Sequence, residues 1–440
     1  MTLRTALRRL LPFLLVLAGI PAQGEGPLYV GGPPPQTPGV AFRWNPSTFP
    51  LTYWTDVGND AASPKTLGTL TKTQADQLVS DAFAVWAGVT TATITFKKAG
   101  NLTVDITGSN AAAAQEAINN CSVALGVGSI VRDRSIIYDT DGTVIDTLLG
   151  AGQSDSTLGF ADALCFSSDG TNTFGRGFAV LNGKFTKTAT DLAELKAVMI
   201  HEFGHMIGLD HSQVNVRCLL TTCSPSDLQG LPTMFPILLD GTAMSSLAAD
   251  DIAGISALYP ASTFASSTGT ITGHVFFSDG VTPAQGFNVI ARRTTDPRVT
   301  ASSSVSGFLF TGDAGNPLIQ DATAQTPSPF GSRDTSLIGV YRIPGLPPGA
   351  YTLEVEGIHN TGTNAFVGGS GLNPIGYLGF EFNLLADCSP LFLSNSQSLT
   401  TCTGTQRTIT VTTGSTAAAD IILTGTTGEL PRYDAWETGP

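Results

Sequence analysis

The sequence predicts an α+β domain followed by an all-β sandwich domain. Up to Pro260, helical spacing of apolar residues alternates with short strand patterns, whereas only strand and turn patterns occur from Gly269 to about Gly425. Strands that follow a mixed region as a separate run are typical of a second domain. With 440 residues, the chain is also longer than a typical domain of ~100–200 residues.

Residues 1–24 have the pattern of a secretory signal. Three arginines precede the apolar run 10–20, and residues 22–24 (Ala-Gln-Gly) provide a small-residue cleavage site. The alternative is an N-terminal membrane anchor, but the apolar run is shorter than the ~20 residues that a span needs. We therefore expect a secreted protein, extracellular or periplasmic, with no membrane attachment once the signal is removed.

The α+β domain is predicted over residues 40–261, after a Pro/Gly-rich lead, residues 25–39, which we expect to be extended and mobile. Its first helix is predicted in 70–89, with Thr71 or Thr73 as the N-cap and an apolar face. That face is formed by Ala75, Leu78, Val79, Ala82, Phe83 and Trp86. Strands are predicted for PLTYWT (50–55), ATITF (92–96), SIIYDT (135–140) and GRGFAVLNG (175–183).

Two further helices complete this domain. TDLAELKAVMIHEFGHMIG is predicted to enter a helix near Thr190 and to leave it at Gly208. LAADDIAGISALYP is predicted to be a helix with Asp250 and Asp251 near its start, where carboxylates favour the positive end of the helix dipole.

The sandwich domain is predicted over residues 269–426, after a linker at 262–268. Its short alternating runs are separated by Gly, Pro and Asp turns. Segments 312–337 and 359–405 are predicted to be insertions, and the polar residues 427–440 to be a loose tail.

Charge excludes one class of partner. The formal net charge is −13, so the chain has no basic surface to neutralise a nucleic-acid backbone. No run of Lys or Arg suggests a membrane-surface patch either.

The six cysteines indicate disulfides, because an exported chain meets an oxidising compartment. Six cysteines allow 15 connectivities, of which neighbour pairing is the simplest. The pairs would be Cys121 with Cys165, Cys218 with Cys223, and Cys388 with Cys402.

A histidine cluster carries the strongest functional signal. The chain has five histidines, and three of them lie in HEFGHMIGLDH, residues 201–211. On a helix, His201 and His205 lie on one face, one turn apart, so both can bind the same zinc ion, with Glu202 beside them. Gly208 allows a sharp turn that brings back His211 as the third ligand. Three protein ligands leave the fourth position open, which is typical of a catalytic zinc site.

The full HExxHxxGxxH pattern is the metzincin signature, and the alternative of three metal-free surface histidines requires a coincidence. A metzincin also needs a methionine turn beneath the metal. The flanking prolines of LPTMFP favour Met234, and Met244 is the rival.

The chain resembles the matrixins, the matrix-metalloproteinase branch of the metzincins. The resemblance is carried by HEFGHMIGLDHS, TMFP and LAADDIAGISALYP, and by RWNPSTFPLTYWTD with AFAVWAGVTTATITF. It covers residues 40–261, most closely 190–260. It implies a mixed twisted sheet over an active-site helix, with a substrate cleft along an edge strand.

The resemblance makes GRGFAVLNG the candidate edge strand that pairs with substrate, and an interior strand is the equal alternative. In the matrixins, the acidic pair matching Asp250 and Asp251 also ties the last helix to neighbouring segments.

The sequence departs from the matrixin pattern in three places. No cysteine-bearing switch precedes the catalytic domain, so thiolate latency is in doubt. The two other histidines, His274 and His359, lie in the β region and cannot build a second zinc site in the catalytic domain. A bridge between Cys218 and Cys223 would stiffen the wall of the substrate pocket.

A second metal is suggested by YDTDGTVID. Asp139, Asp141 and Asp146 are candidate oxygen ligands for Ca²⁺, although the glycine spacing is not that of an EF-hand. The alternative is a solvated Asp-Gly turn.

The C-terminal pattern ITGHVFFSDG…GVYRIPGLPPGAYTLEVEG resembles the carboxypeptidase-regulatory, prealbumin-like β-sandwiches of exported bacterial proteins. Such domains carry no catalytic residues of their own. Folding support, spacing and binding to an unknown surface or partner stay open.

Together these features predict a secreted zinc endopeptidase that acts on protein or peptide substrates, with Glu202 as general base. One alternative is an exported binding or adhesion protein with a vestigial protease-like domain. Another is a zinc hydrolase that acts on a non-peptide amide.

Overall fold

The structure is a computed structural model that describes residues 26–423 with some gaps. The gaps are 59–64, 127, 213, 215–227, 236–237, 278, 285–286, 312–330, 333, 358–390, 394–399 and 402–406. Several sequence predictions therefore lie outside the described residues. They concern the signal, the tail, most of the two insertions, His359 and the cysteines Cys218, Cys223, Cys388 and Cys402.

The first part of the chain contains a five-stranded mixed sheet. Its strand order is β2-β1-β3-β5-β4; β4 is antiparallel to β5 and the other neighbours are parallel. The strands are β1 (Leu51–Thr55), β2 (Phe96–Asn101), β3 (Arg134–Asp139), β4 (Gly159–Phe166) and β5 (Phe174–Asn182).

Helices cover both faces of this sheet. They are α1 (Lys72–Ala87), α2 (Ala111–Asn119), α3 (Thr143–Leu149), α4 (Ala189–Met206) and α5 (Ala249–Leu258). One core joins the sheet to α1, α4 and α5, and a second joins the other face to α2 and α3. The predicted α+β architecture is therefore present, and burial on both faces fixes the position of α4.

Capping explains where the two main helices begin. Thr71 caps α1 and Thr188 caps α4, each in a capping box with the side chain three residues on, Gln74 or Asp191. Helix α4 ends at Met206, and Gly208 follows with φ of +95°, which only glycine adopts without strain. The chain therefore turns sharply after the predicted helix.

The edge strand differs from the candidate named from the sequence. GRGFAVLNG forms β5, an interior strand between β3 and β4, so the edge-strand candidate was wrong and its alternative is correct. The edge strand on this side is β4, which lies in a Gly- and Ser-rich stretch without a clear pattern. ATITF was also misplaced, since β2 begins at Phe96, where that segment ends.

The Pro/Gly-rich lead is packed rather than mobile, so that prediction was wrong. Leu28 N donates to Gly208 O at 2.7 Å, and Gly31 N donates to Val40 O at 2.8 Å. The side chains of Leu28 and Val30 are fully buried. The lead thus forms a hairpin against the turn that follows α4.

One predicted disulfide falls within the described residues, and it is present. Cys121 and Cys165 are bonded, with 5.2 Å between their Cα atoms. The bond ties the segment after α2 to the edge strand β4.

Short strands dominate the described residues after Pro260, as predicted. They are β6 (Gly269–Phe276), β7 (Phe287–Arg293), β8 (Ala301–Val305), β9 (Val340–Leu346), β10 (Gly349–Gly357), β11 (Leu391–Leu393), β12 (Thr400–Thr401), β13 (Ile409–Val411), β14 (Thr416–Ala418) and β15 (Ile421–Ile422). Two four-residue helices, α6 (Phe264–Ser267) and α7 (Phe308–Thr311), interrupt them. We call the described part of 269–423 the C-terminal β region.

Two sheets form the C-terminal β region. One has the path β12-β11-β10-β7-β8 with β13 beside β10, and the other has β14, β15 and β9 beside β6. Apolar side chains of both sheets share one core, which includes Ile271 of β6, Val289 of β7 and Tyr351 of β10. Within the part of the chain that the structure describes, no helix is both long and apolar enough to cross a bilayer.

The packed lead generates a first prediction. Leu28→Ala should lower the free energy of unfolding by about 2–5 kcal/mol, because it removes a buried side chain from a close-packed site. Val40→Ala is the matched control, since Val40 lies in the same hairpin with 48% of its surface exposed. Urea unfolding of the two variants measures the difference; equal stability would show that the lead does not pack as described.

Candidate metal centre

Three buried histidines meet at one point. The Nε2 atoms of His201 and His205 are 3.1 Å apart, as are those of His205 and His211, and those of His201 and His211 are 3.2 Å apart. Among the described residues, this is the group of His, Cys, Asp or Glu side chains that could hold a metal ion. The structure therefore brings together all three predicted ligands.

Backbone carbonyls determine the tautomer of two of these rings. His201 Nδ1 donates to Thr233 O at 2.8 Å, and His205 Nδ1 donates to Leu209 O at 2.9 Å. A carbonyl oxygen can only accept, so each Nδ1 carries the proton and each Nε2 of a neutral ring presents a lone pair. These lone pairs point at one another, an arrangement that is repulsive unless a cation lies between them.

Burial keeps the rings neutral, as metal ligands must be. Desolvation lowers the pKa of His201 to about 4 and that of His205 to about 3, and it holds the pKa of His211 well below its ordinary value. Neighbouring imidazoles lower the pKa of His205 and His211 further.

The donor set fits zinc. Zn–N bonds of about 2.0–2.1 Å in a tetrahedron separate two nitrogen ligands by about 3.3 Å. The three Nε2 atoms lie 3.1–3.2 Å apart, close to that spacing. Three nitrogen ligands on a helix and the turn after it leave room for an exogenous fourth ligand.

Glu202 lies next to the first histidine and is buried. Its Oε2 has no hydrogen-bond partner among the described residues. Desolvation raises the pKa of Glu202 to about 8, and a cation held by the histidines would lower it again. Edge strand β4 passes close by, because a Cβ added at Gly159 would lie 3.2 Å from Glu202 Cγ.

Met234 lies beneath the histidines. A Cβ on Gly204, which is between His201 and His205 on α4, would overlap Met234 Sδ and would lie 3.0 Å from Trp86 Cζ2. The rival Met244 packs elsewhere, with Ala197 and other apolar residues. The structure thus puts Met234, not Met244, in the position expected for the methionine turn.

Asp251 holds this turn in place. Its carboxylate accepts from Thr233 N at 2.8 Å, Met234 N at 3.0 Å and Ala248 N at 2.6 Å. Asp251 thereby links the start of α5 to the residue whose carbonyl orients His201. The part played by Thr233 was not predicted from the sequence, because a contact made by a backbone carbonyl does not depend on residue type.

Strand β4 lies at the edge of the sheet, beside this centre. Asn182 N donates to Leu158 O, so in the antiparallel register every second residue of β4 bonds to β5. The N–H and C=O groups of Ala161 and Ala163 therefore point away from the sheet. Asp162 Oδ1 accepts from Ala163 N at 2.7 Å, and Ala161 and Ala163 are both fully buried, so other parts of the protein cover this edge.

The three candidate calcium ligands do not converge. Asp139 accepts from the N–H groups of Gly142, Val144 and Ile145 at the start of α3. Asp141 accepts from Thr143, and Asp146 accepts from Ser154 N. Each carboxylate serves a local turn or helix start, and a calcium role for them stays a prediction.

Comparison with known proteins agrees with this centre. Residues 60–260 match the family model described as matrixin. No curated protein matches the chain. The match supports the matrixin-like, metzincin character predicted from the sequence for this part of the chain, and the family implies a zinc metallopeptidase.

A solved structure from Pseudomonas aeruginosa, described as a "putative carbohydrate binding protein", is also similar. It is 11% identical, with a TM-score of 0.15, and the match covers 36% of this chain and 88% of that one. A likeness this weak carries no argument about fold or function.

Close packing under the histidines generates a second prediction. Gly204→Ala should weaken zinc binding and destabilise the protein by about 1–3 kcal/mol, because the new methyl group must displace the buried Met234 side chain. Gly126→Ala is the control, since a Cβ there meets nothing within 4 Å. Zinc titration and thermal unfolding check both effects, and wild-type values for Gly204→Ala would contradict the packing.

Proposed function

We propose that the protein is an exported zinc-dependent endopeptidase. The observation that carries the proposal is the convergence of three neutral imidazoles next to Glu202, beside the edge strand β4. His201, His205 and His211 would hold the ion. When bound, zinc acts as a Lewis acid that lowers the pKa of the attacking water and polarises the carbonyl of the substrate.

Glu202 is the proposed general base. Its carboxylate accepts a proton from the attacking water and returns it to the leaving amine. The buried surroundings keep other water away, so the proton passes between water, Glu202 and substrate. Met234 and Asp251 hold α4 and the turn beneath it in one arrangement during this exchange.

The proposed substrate is an extended protein or peptide segment. Ala161 of the edge strand has an N–H and a C=O that point away from β5, the orientation in which a substrate backbone pairs by strand addition. Because Ala161 is fully buried, this pairing requires the groups that cover it to move aside. This feature supports a peptide over a non-peptide amide, which has no repeating backbone to pair.

Two further assignments, export and the β-sandwich, rest on the sequence and on the core of the C-terminal β region. The signal pattern at 1–24 supports export, and the two sheets with a shared core support a β-sandwich for the C-terminal β region.

The third prediction tests the chemistry. Glu202→Gln should keep one zinc per chain and lower the rate of cleavage of unfolded protein substrates by about 10²–10⁴-fold, because it removes the proton acceptor and little else. Metal analysis and a cleavage assay on the same preparation measure both. Removal of zinc by a chelator should stop the wild-type protein, and zinc addition should restore it.

Glu194→Gln is the matched control for Glu202→Gln, since it removes a carboxylate from the same helix about two turns earlier. It should cleave like the wild type. If wild type and Glu202→Gln both bind zinc and neither cleaves, the enzyme assignment fails, and the binding protein with a vestigial site is the better explanation.

The fourth prediction tests the edge strand. Ala161→Pro removes an N–H that points away from β5, so the sheet should remain while pairing with substrate is lost. We expect kcat/KM for a peptide to fall at least about 10-fold relative to Ala161→Gly, which keeps the N–H. Circular dichroism and zinc content verify that the fold is retained. Equal kcat/KM for the two variants would argue against strand pairing.

A further inference from the structure

The C-terminal β region packs against the metal-binding part of the chain. Gly345 of β9 approaches α5 so closely that an added Cβ would lie 2.8 Å from Ala253 Cβ. Val214, three residues after His211, is fully buried in a cluster with Ile290 of β7 and Ala301 of β8. The segment that follows His211 therefore has its apolar anchor in the C-terminal β region.

A buried carboxylate makes a second link at the same place. Asp250 Oδ1 accepts from Ser302 Oγ at 2.6 Å and from Ser303 N at 2.9 Å, both in β8. Its other oxygen accepts from Ser212 Oγ at 2.5 Å. One carboxylate of α5 thus connects the residue after His211 to a strand of the C-terminal β region.

His211 depends on its neighbours more than the other two ligands do. His201 and His205 are each oriented by a carbonyl that accepts from Nδ1, whereas His211 Nδ1 has no hydrogen-bond partner among the described residues. The position of its ring follows from the backbone on either side. On the C-terminal side, that backbone is held by Ser212 and Val214.

Ser212 is fixed from two directions. Its N–H donates to Met234 O at 2.8 Å, and its hydroxyl accepts from Val214 N at 3.2 Å while donating to Asp250. Without Ser302 and Ser303, the buried Asp250 carboxylate would lose donors and would have to move or attract water. Either change alters where Ser212, and hence His211, can lie.

We propose that the C-terminal β region is a positioning element of the metal site, which holds His211 through Ser302, Asp250 and Ser212 and through the Val214 contact. The inference rests on the proposed zinc site. The C-terminal β region would then influence metal binding, although it supplies none of the three proposed ligands. Partners of metal ligands typically change affinity 10–100-fold when removed.

The test is Ser302→Ala in the full chain. We expect its zinc dissociation constant, measured by competition with a chromophoric chelator, to rise about 10-fold. The visible spectrum of the Co²⁺-substituted protein should also change, because it reports the geometry of the ligands. Ser304→Ala is the matched control: it lies two residues along β8, and its hydroxyl accepts from Arg342 N instead of contacting Asp250.

A double-mutant cycle tests whether Ser302 acts on zinc binding through Asp250 and Ser212. Ser212 and Ser302 bond to opposite oxygens of Asp250, so Ser212→Ala and Ser302→Ala should have less than additive effects on zinc affinity. Val214→Ala should also weaken zinc binding, whereas Val299→Ala should not, since Val299 is 49% exposed on the β7–β8 connection. These variants remove small groups, so the protein should remain folded.

The outcomes separate the two proposals. If wild type binds zinc, and Ser302→Ala and Val214→Ala match their controls in affinity and Co²⁺ spectrum, the positioning role is overturned and the proposed function stands. If wild type binds no zinc at all, the proposed function fails as well.

Discussion

The meeting of three buried imidazole lone pairs is the constraint on which the rest of the structure depends. In His201 and His205 the lone pair lies on Nε2 and faces the centre, because Nδ1 of each ring donates its proton to a backbone carbonyl. Such an arrangement costs free energy without a cation, because desolvated lone pairs face one another. The surrounding fold must therefore hold the three rings at the spacing that a bound cation requires.

Several independent contacts provide that support. Helix α4 is buried between the sheet and α1, which fixes the first two ligands. Met234 fills the space under Gly204, and Asp251 binds the backbone of that turn. Asp250 and Asp251 are adjacent on α5, yet they serve different ends of the site: one binds Thr233 and Met234, and the other binds Ser212. Helix α5 thus holds both the turn that contains Met234 and the segment that follows His211.

The segments on either side of His211 contact the lead and the C-terminal β region. Gly208, in the turn before His211, accepts from Leu28 of the lead, and Val214 after it packs on β7 and β8. The lead and the C-terminal β region are therefore integrated with the metal-binding part rather than attached to it by flexible connections.

The sequence alone indicated which three histidines meet and which carboxylate, the proposed general base, lies beside them, because helical periodicity and one glycine dictate which side chains can share a face. It also predicted the order of an α+β part and a β part, and it placed the start of α1 at Thr71 or Thr73 and that of α4 within two residues of the observed Thr188 cap. The pairing of Cys121 with Cys165 was the simplest of 15 connectivities, and the structure confirms it. Tertiary structure decided what depends on contacts between distant segments. The edge position of β4 rather than β5 follows from strand order, which a local pattern does not encode. The packing of Leu28 and the bond between Asp250 and Ser302 depend on surfaces that meet only after folding, and serine or leucine in the sequence carries no sign of its partner.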